Sequence, residues 1–521
     1  MYECPGCGGN LKFDIPTQQL LCAYCGTKKN PYEVEKKTDA VEQDYFETTV
    51  FTCPQCGGEL YSTDGEATSF CTFCGASNIL TERISKEKRP EYIIPFKQTK
   101  ADCKDAYAKK MRYAFFAPNE LKKAEYVEEF RGIYMPYWTY QITQDKQIAL
   151  RGEKSHRSGD YVYTDHYWLR GDMKAYYLGY SSDASASFYD GISEALAPFD
   201  VKKLVNFTPS FLSGFYADTA DVPSSVYADD MKGLANRSTF EILKKRGEFA
   251  GYNVGGCNKE TGLNTSLGTT CRDVDRTLYP VWFLTYRNKD RVAYATVNGQ
   301  TGKVVADLPV DLKKYFAGSL LLAAVIFCFL NLLFTIKPAV LMMLSALLTV
   351  LTGFLYSSEL NEIVRKENFS DDKGMQAAGK ASGAFGNRNA NKKKGKKVAQ
   401  NLIPIIIFSW IIFAAVISGG ADVLWLVIVI AAVLMAVRGI PRSKMVGGVR
   451  EGLGFVFSVV AVIVTLLIRI INPVSDLYYY AGTLVSLLTV LYNLYDLIRN
   501  YNRLAMRRLP QFDKKGGDHH A

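Results

Sequence analysis

Four Cys-x-x-Cys pairs crowd the first 74 residues, and they come as a repeated unit. The first unit is Cys4-Pro5-Gly6-Cys7 followed by Cys22-Ala23-Tyr24-Cys25; the second is Cys53-Pro54-Gln55-Cys56 followed by Cys71-Thr72-Phe73-Cys74. Fourteen residues separate the pairs in both units, and the second unit begins 49 residues after the first. Two cysteines three positions apart on a tight turn aim both sulfurs at one point, and two such turns facing each other complete a tetrahedral cage of thiolates. A glycine follows every pair (Gly8, Gly26, Gly57, Gly75), where a knuckle doubles back through positive φ. The spacing predicts two small β zinc ribbons, 1–30 and 51–82, about a 31–50 linker. Cys4, Cys7, Cys22 and Cys25 would hold one Zn2+, and Cys53, Cys56, Cys71 and Cys74 the other. Both ions would be structural, since four thiolates leave no open coordination position. Disulfide-stapled repeats are the first rival, but they need an oxidising compartment, and residues 1–10 contain no apolar signal-peptide core. A redox Cys-x-x-Cys is the second, but that motif is used singly beside a βαβ pattern, not four times in succession.

The net charge of +10 suggests nucleic acid until it is located. Residues 1–316 hold 40 Lys and Arg against 41 Asp and Glu, so the whole excess lies in the C-terminal 205 residues. That half is also the greasy one, which favours a membrane surface with anionic headgroups over a polynucleotide. A spanning helix needs roughly 20 apolar residues. Six runs qualify at 317–336, 338–356, 402–418, 421–437, 453–471 and 476–497, within a transmembrane region set at 317–498 and followed by a basic tail, 499–521. The loop 357–401 carries ten Lys and Arg, and the loop 438–452 and the tail are basic as well, whereas the alternate turns are nearly uncharged. The positive-inside rule then places both termini in the cytoplasm, where thiolates stay reduced. Ionisable side chains inside these runs are scarce, with Asp422, Arg469 and Asp476 near their ends, so an anchor is expected ahead of a transporter. The stretch 371–397, rich in Gly, Ala, Asn and Lys, reads as a disordered loop lying on headgroups.

Residues 90–312 read as an α+β domain with antiparallel sheet. Ala101 to Phe116 and a stretch within Val222 to Arg246 are helical; Gly132 to Leu150, Asp160 to Tyr180 and Leu278 to Asp307 are strand-like. Two runs look alike, Tyr134-Met135-Pro136-Tyr137-Trp138 and Tyr279-Pro280-Val281-Trp282, which suggests a duplicated hairpin unit. Asn298-Gly299 and Thr301-Gly302 place a tight turn between strands. The fold class is therefore multidomain: two small β zinc ribbons, the α+β domain and a C-terminal all-α multipass transmembrane bundle.

No catalytic motif is written in the chain. There is no phosphate-binding Gly-x-x-x-x-Gly-Lys-Ser/Thr, no Gly-x-Ser-x-Gly elbow and no His-Glu-x-x-His helix. His156 and His166 stand near Asp160 and Asp165, so a metal or acid–base pair is imaginable there, although surface positions are the simpler reading. Cys103, Cys257, Cys271 and Cys328 lack pair spacing and read as core or loop residues.

Together the ribbons, Ile94-Pro95-Phe96-Lys97, Tyr134 to Trp138, Leu212-Ser213-Gly214-Phe215, Tyr279 to Trp282, Asn298 to Val304 and the C-terminal spans resemble a family of uncharacterised bacterial membrane proteins, common in Gram-positive organisms. Its members are labelled as carrying TFIIB-type zinc ribbons or as relatives of the primosomal replication-restart helicase. The resemblance implies zinc; the helicase label finds no nucleotide-phosphate loop here. The leading expectation is a membrane-tethered module that presents its ribbons to a cytoplasmic protein partner. Nucleic acid is the alternative, resting on Lys12, Lys28 and Lys29, while residues 53–80 contain no Lys or Arg. A zinc or thiol-stress sensor and a transporter follow.

Overall fold

The structure, a computed structural model, describes residues 2–34, 45–63, 71–77, 81–245, 251–254, 267–333, 336–367, 369–382, 421–446 and 450–510. The first cysteine unit forms its own antiparallel sheet of β1 (Leu11–Asp14), β2 (Gln19–Cys22) and β3 (Lys28–Lys29). The second is built on β4 (Tyr45–Thr52), β5 (Glu59–Ser62) and β6 (Thr81–Lys88), with β4 between the other two. This second set is one end of a larger, mostly antiparallel sheet that continues through the α+β region.

That region runs β7 (Tyr92–Ile93), α1 (Lys100–Arg112), α2 (Ala124–Val127), β8 (Arg131–Ser158), β9 (Tyr161–Asp183), α3 (Asp190–Leu196), β10 (Val205–Asn206), β11 (Tyr216–Asp218), α4 (Ala228–Lys245), β12 (Asn253–Val254), β13 (Thr269–Asn288), β14 (Arg291–Asn298) and β15 (Val304–Ala306). Its centre is the antiparallel pair β8–β13, which brings the two look-alike motifs face to face: Pro136 lies opposite Leu278 and Pro280 opposite Tyr134. Proline in a central strand removes a ladder donor. Both prolines avoid the penalty in the same way. On its other side β8 pairs with β11 through Ile133 and Tyr134, then with β9 from Tyr137 onward, and Pro136 sits at the change. β13 likewise changes from β7 at Leu278 to β14 at Val281, with Pro280 between. The duplication seen in the sequence is thus a duplication of strand-switching.

Five helices among the described residues are long and apolar enough to cross a membrane: α5 (Leu312–Leu333), α6 (Pro338–Glu367), and three after the helix α7 (Lys373–Ser382), namely α8 (Ala421–Val446), α9 (Arg450–Ile471) and α10 (Asp476–Ala505). They mark the chain as a membrane protein. The apolar run at 402–418 lies outside the described residues. α6, α8, α9 and α10 extend past their apolar runs at the end facing the sheet. There Arg442 bonds Ser357, the Tyr356 hydroxyl bonds the Glu451 carbonyl, and Val310 and the Asn502 amide exchange two hydrogen bonds of 2.7 and 2.8 Å. After α10 the chain adds β16 (Arg507–Arg508) to the edge of β14. The chain therefore leaves the sheet at α5 and returns to it at β16. It leaves α7 beside the sheet and resumes at Ala421, whose helix packs Leu424, Trp425 and Ile428 at the distant end against Met342, Ala346 and Tyr479.

The segment expected to lie on headgroups from 371 begins instead with α7, docked on the α+β region. Met375 joins the core beside Tyr227 and Met231, and two aspartates cap reciprocally. Asp190 accepts from the Lys373 N–H (2.7 Å), and Asp372 accepts from the Met375 N–H (2.7 Å) and, at 3.4 Å, from the Asp190 N–H. Carboxylates at helix starts satisfy orphan donors, which composition alone does not reveal. Residues 383–397 of that segment lie outside the described ones.

Arg291, the first residue of β14, donates to Glu367 at the end of α6 (3.2 Å) and to the Arg503 and Met506 carbonyls at the end of α10 (both 2.6 Å). Arg291→Ala is expected to lower the stability of the detergent-solubilised chain by roughly 3 kcal/mol, read by thermal unfolding, because a half-buried charged cap is lost from two helices at once. The Asp372 carboxyl is pushed up to about 7 by burial and then by the Asp190 charge. In the folded state it holds a proton that the unfolded chain has lost between its ordinary 3.8 and about 7, so stability falls as pH rises through that window. Asp190 and Asp183, both raised chiefly by burial, act in the same direction. A melting temperature that rises on acidification through about 7, with a slope flattened by Asp372→Asn, is the expected result.

Candidate metal centres

All four Cys-x-x-Cys turns are the same object. The N–H of Gly8, Gly26, Gly57 and Gly75 donates to the carbonyl of Cys4, Cys22, Cys53 and Cys71 respectively, at 2.8–2.9 Å, with glycine φ of 73, 73, 70 and 67°. Each leading cysteine N–H donates back to the carbonyl five residues on, at Gly9, Thr27, Gly58 and Ala76. The left-handed glycine is what lets the turn close. Paired turns then face each other. Sγ separations are 3.5 Å for Cys4–Cys25 and for Cys7–Cys22, and 3.7 Å for Cys53–Cys74 and for Cys56–Cys71. Within each set all four sulfurs lie within 4.8 Å of one another. A tetrahedron of ligands about 2.3 Å from a thiophilic ion has edges of about 3.8 Å. Each set could therefore hold a metal ion, and its four soft donors select a thiophilic one.

The two sets differ in what surrounds them. In the first, Cys4 and Cys22 are buried but Cys7 and Cys25 are exposed, and Tyr24 between Cys22 and Cys25 is 83% exposed. The Thr27 hydroxyl, 3.1 Å from Cys25 Sγ, and then the Thr27 N–H pull the Cys25 thiol down to about 6. In the second set all four cysteines are buried, and Phe73, the counterpart of Tyr24, is 1% exposed. Its cover comes from β13 and β14. The Tyr294 hydroxyl donates to the Phe73 carbonyl (2.5 Å), the Thr285 hydroxyl to the Thr72 carbonyl, and Arg287 to Gln55 Oε1 (2.9 Å). Sequence reasoning missed these three supports, more than two hundred residues away; only the alternate positions of Thr285 and Arg287 on β13 hint that those two share a face.

The first unit is seated by a motif that had no assigned role. Ser213 of Leu212-Ser213-Gly214-Phe215 donates its hydroxyl to the Leu11 carbonyl (2.5 Å), and its own carbonyl accepts from the Phe13 N–H (3.0 Å). Gln18 reaches the Phe96 carbonyl (2.8 Å). Phe96 stacks on Phe215 at 4.6 Å and meets Tyr134 and Trp282 edge-on at 4.9 and 5.2 Å. The short motifs that carry the family resemblance thus converge on one aromatic node, where they build core rather than a ligand site.

His156 and His166 are not brought together. His156 pairs across the β8–β9 ladder with Tyr163 and His166 with Glu153, and residues 153 and 156 point to opposite faces. Cys103 is buried in α1, Cys328 is exposed on α5, Cys271 is half-buried, and Cys257 lies outside the described residues. Lys12 and Lys28 are exposed and Lys29 is half-buried.

Two tetracysteine sites on a β scaffold, followed by bilayer-length helices, define a membrane protein equipped to bind metal. The chain is 31% identical over 320 residues to the Uncharacterized protein YdjG of Bacillus subtilis (strain 168), a match covering 61% of this chain and 92% of that one. It belongs to the family of that protein. No protein-family model matches the chain. No solved structure matches it.

Gly9 and Gly58 occupy equivalent places in the two units. A Cβ on Gly9 would meet Tyr24 Cδ2 at 2.7 Å, and one on Gly58 would meet Phe73 Cδ2 at 2.6 Å. Tyr24 can swing into solvent, whereas Phe73 is walled in. Gly58→Ala is expected to cost about 2 kcal/mol and Gly9→Ala less than about 1 kcal/mol in thermal unfolding. Equal costs would mean that the two aromatic lids are equally constrained.

Proposed function

We propose that the protein is a zinc-stapled interaction module held on the cytoplasmic face of a membrane, with two TFIIB-type zinc ribbons each closed by one structural Zn2+. The contrast in exposure between two locally identical cysteine sets carries this reading. The second set is walled in by β13 and β14, so its ion would act as a staple, supplying roughly 10–16 kcal/mol of apparent binding energy to the fold around it. The first is seated on its buried side and open along Cys7, Tyr24 and Cys25, which suits docking of a cytoplasmic protein partner. An exposed aromatic beside a rigid turn is the kind of anchor interfaces use.

The topology supports the same side for everything soluble. The start of α5, the ends of α6, α8 and α10 and the start of α9 gather beside the sheet, and Arg365, Lys366, Arg442, Lys444, Arg450 and Arg499 gather with them. By the positive-inside rule this is the cytoplasmic side, with anionic headgroups as its lipid contact. Five bilayer-length helices are described, and the sixth apolar run read from the sequence, 402–418, lies outside the described residues. Exposed Lys12 and Lys28 favour nucleic acid as a second reading.

Elemental analysis of the purified full chain is expected to return close to two equivalents of zinc. Tyr24→Ala should keep both ions yet lose the companion that co-purifies with the intact chain from detergent-solubilised membranes. Retention of the same companion by Tyr24→Ala would remove the docking role, and salt-sensitive DNA binding abolished by Lys28→Glu would favour the second reading instead.

A further inference from the structure

The interior of the helix bundle is more polar than its hydropathy suggests. Along α10, Ser486, Asn493, Asp496 and Asn500 recur at helical spacing on one face, and each is at most 1% exposed. They look into a seam walled by α6 and α9. The wall residues bring hydroxyls whose protons are already committed to their own helices. Thr352 donates to the Thr349 carbonyl (3.0 Å), Ser458 to the Gly454 carbonyl (2.7 Å) and Thr349 to the Ser345 carbonyl (2.9 Å). Only oxygen lone pairs are left to face the seam.

This settles the orientation of Asn493. Its amide lies 3.0 Å from the Ser458 hydroxyl and 3.4 Å from that of Thr352. Both can only accept, so the NH2 end must face them and donate. Asn493 Oδ1 is thereby turned the other way, over Gly454, and no donor reaches it. The glycine makes that position possible, since a Cβ on residue 454 would lie 2.6 Å from Oδ1. One turn along, neither carboxylate oxygen of Asp496 accepts a hydrogen bond of 3.5 Å or less, although the Tyr492 hydroxyl and the Arg450 side chain lie nearby. Arg499 Nε stands 3.8 Å from Asp496 Oδ1, but the guanidinium is drawn to Glu451, with Nη2 at 3.1 Å. A further turn along, the buried Asn500 amide makes no hydrogen bond of 3.5 Å or less, with the Tyr356 hydroxyl nearby. Polar groups buried in a helix seam without partners cost free energy, and buried ionisable ones mark candidate functional sites.

We propose that this row of oxygens, centred on Asp496 with Asn493 and Asn500 on either side, binds a monovalent alkali cation within the α6–α9–α10 seam. One carboxylate among neutral amide and hydroxyl oxygens suits a hard ion of single charge, whereas divalent ions call for more carboxylates. Among the described residues no three acidic groups converge here as they would for a divalent site. The cation supplies the close positive partner that Arg499, held by Glu451, does not.

The test uses the full chain in detergent, with binding of radioactive sodium and of radioactive rubidium, as a potassium analogue, measured at constant ionic strength against N-methylglucamine. Saturable uptake of one of the two by the wild type is expected, with a melting temperature that rises alongside it. Asp496→Asn, which keeps the shape of the side chain, should weaken that binding at least about tenfold and abolish the cation-dependent shift. Asp476→Asn, at the opposite end of α10, should leave both unchanged. If the wild type binds neither ion above the N-methylglucamine background, the row is only interhelical packing and the proposal falls, whether or not the Asp496 variant folds. Undiminished binding by a folded Asp496→Asn chain overturns it equally.

Discussion

One guanidinium joins the two halves of this protein. Arg291 opens β14 and spends its fork of donors on Glu367, at the end of one bilayer-length helix, and on two terminal carbonyls of another. Those carbonyls belong to a last helical turn, which has no intrahelical donors of its own. A planar group with five fixed donors satisfies them together where an ammonium could not. Three residues further along the same strand, Tyr294 holds the Phe73 carbonyl in the second cysteine unit. A single short strand therefore sets the position of the buried tetracysteine set and the docking of the bundle, and β16 seals its edge on the side of the helices.

The cysteine units show how one local design takes two roles. Their turns match hydrogen bond for hydrogen bond, because each needs the same left-handed glycine and the same carbonyl acceptor. What separates them is the company they keep. A seat on Leu212 to Phe215 leaves one edge of the first open, while β13 and β14 close over the second. The repeated aromatic, Tyr24 in one and Phe73 in the other, matches that outcome: the exposed ring carries a hydroxyl and the buried one does not.

Much of the site was legible beforehand. The eight cysteines group as their spacing demands, because a knuckle is closed by residues within five positions of one another. The turn after Asn298 and the bilayer-length helices are equally local in origin. The seam was not legible: Asn493, Asp496 and Asn500 are scattered among apolar residues, so a sliding average of hydropathy absorbs them, and the scarcity of charge made an inert anchor the natural reading. The docking of α7 escaped notice for a related reason. Gly, Ala and Lys look like loop composition, and the caps that make a helix there come in part from Asp190, which is remote in sequence.

By itself the amino-acid order determined everything that depends on near neighbours: the two sulfur clusters, the strands and the bilayer-length helices. Tertiary structure alone decided which cluster is open and which is sealed, that the two proline motifs meet at the centre of one sheet, and that a polar row lines the bundle. The physical reason is reach. Turns and helices close hydrogen bonds over a handful of residues, whereas burial and orphaned acceptors are defined only once strands and helices from distant parts of the chain have packed around them.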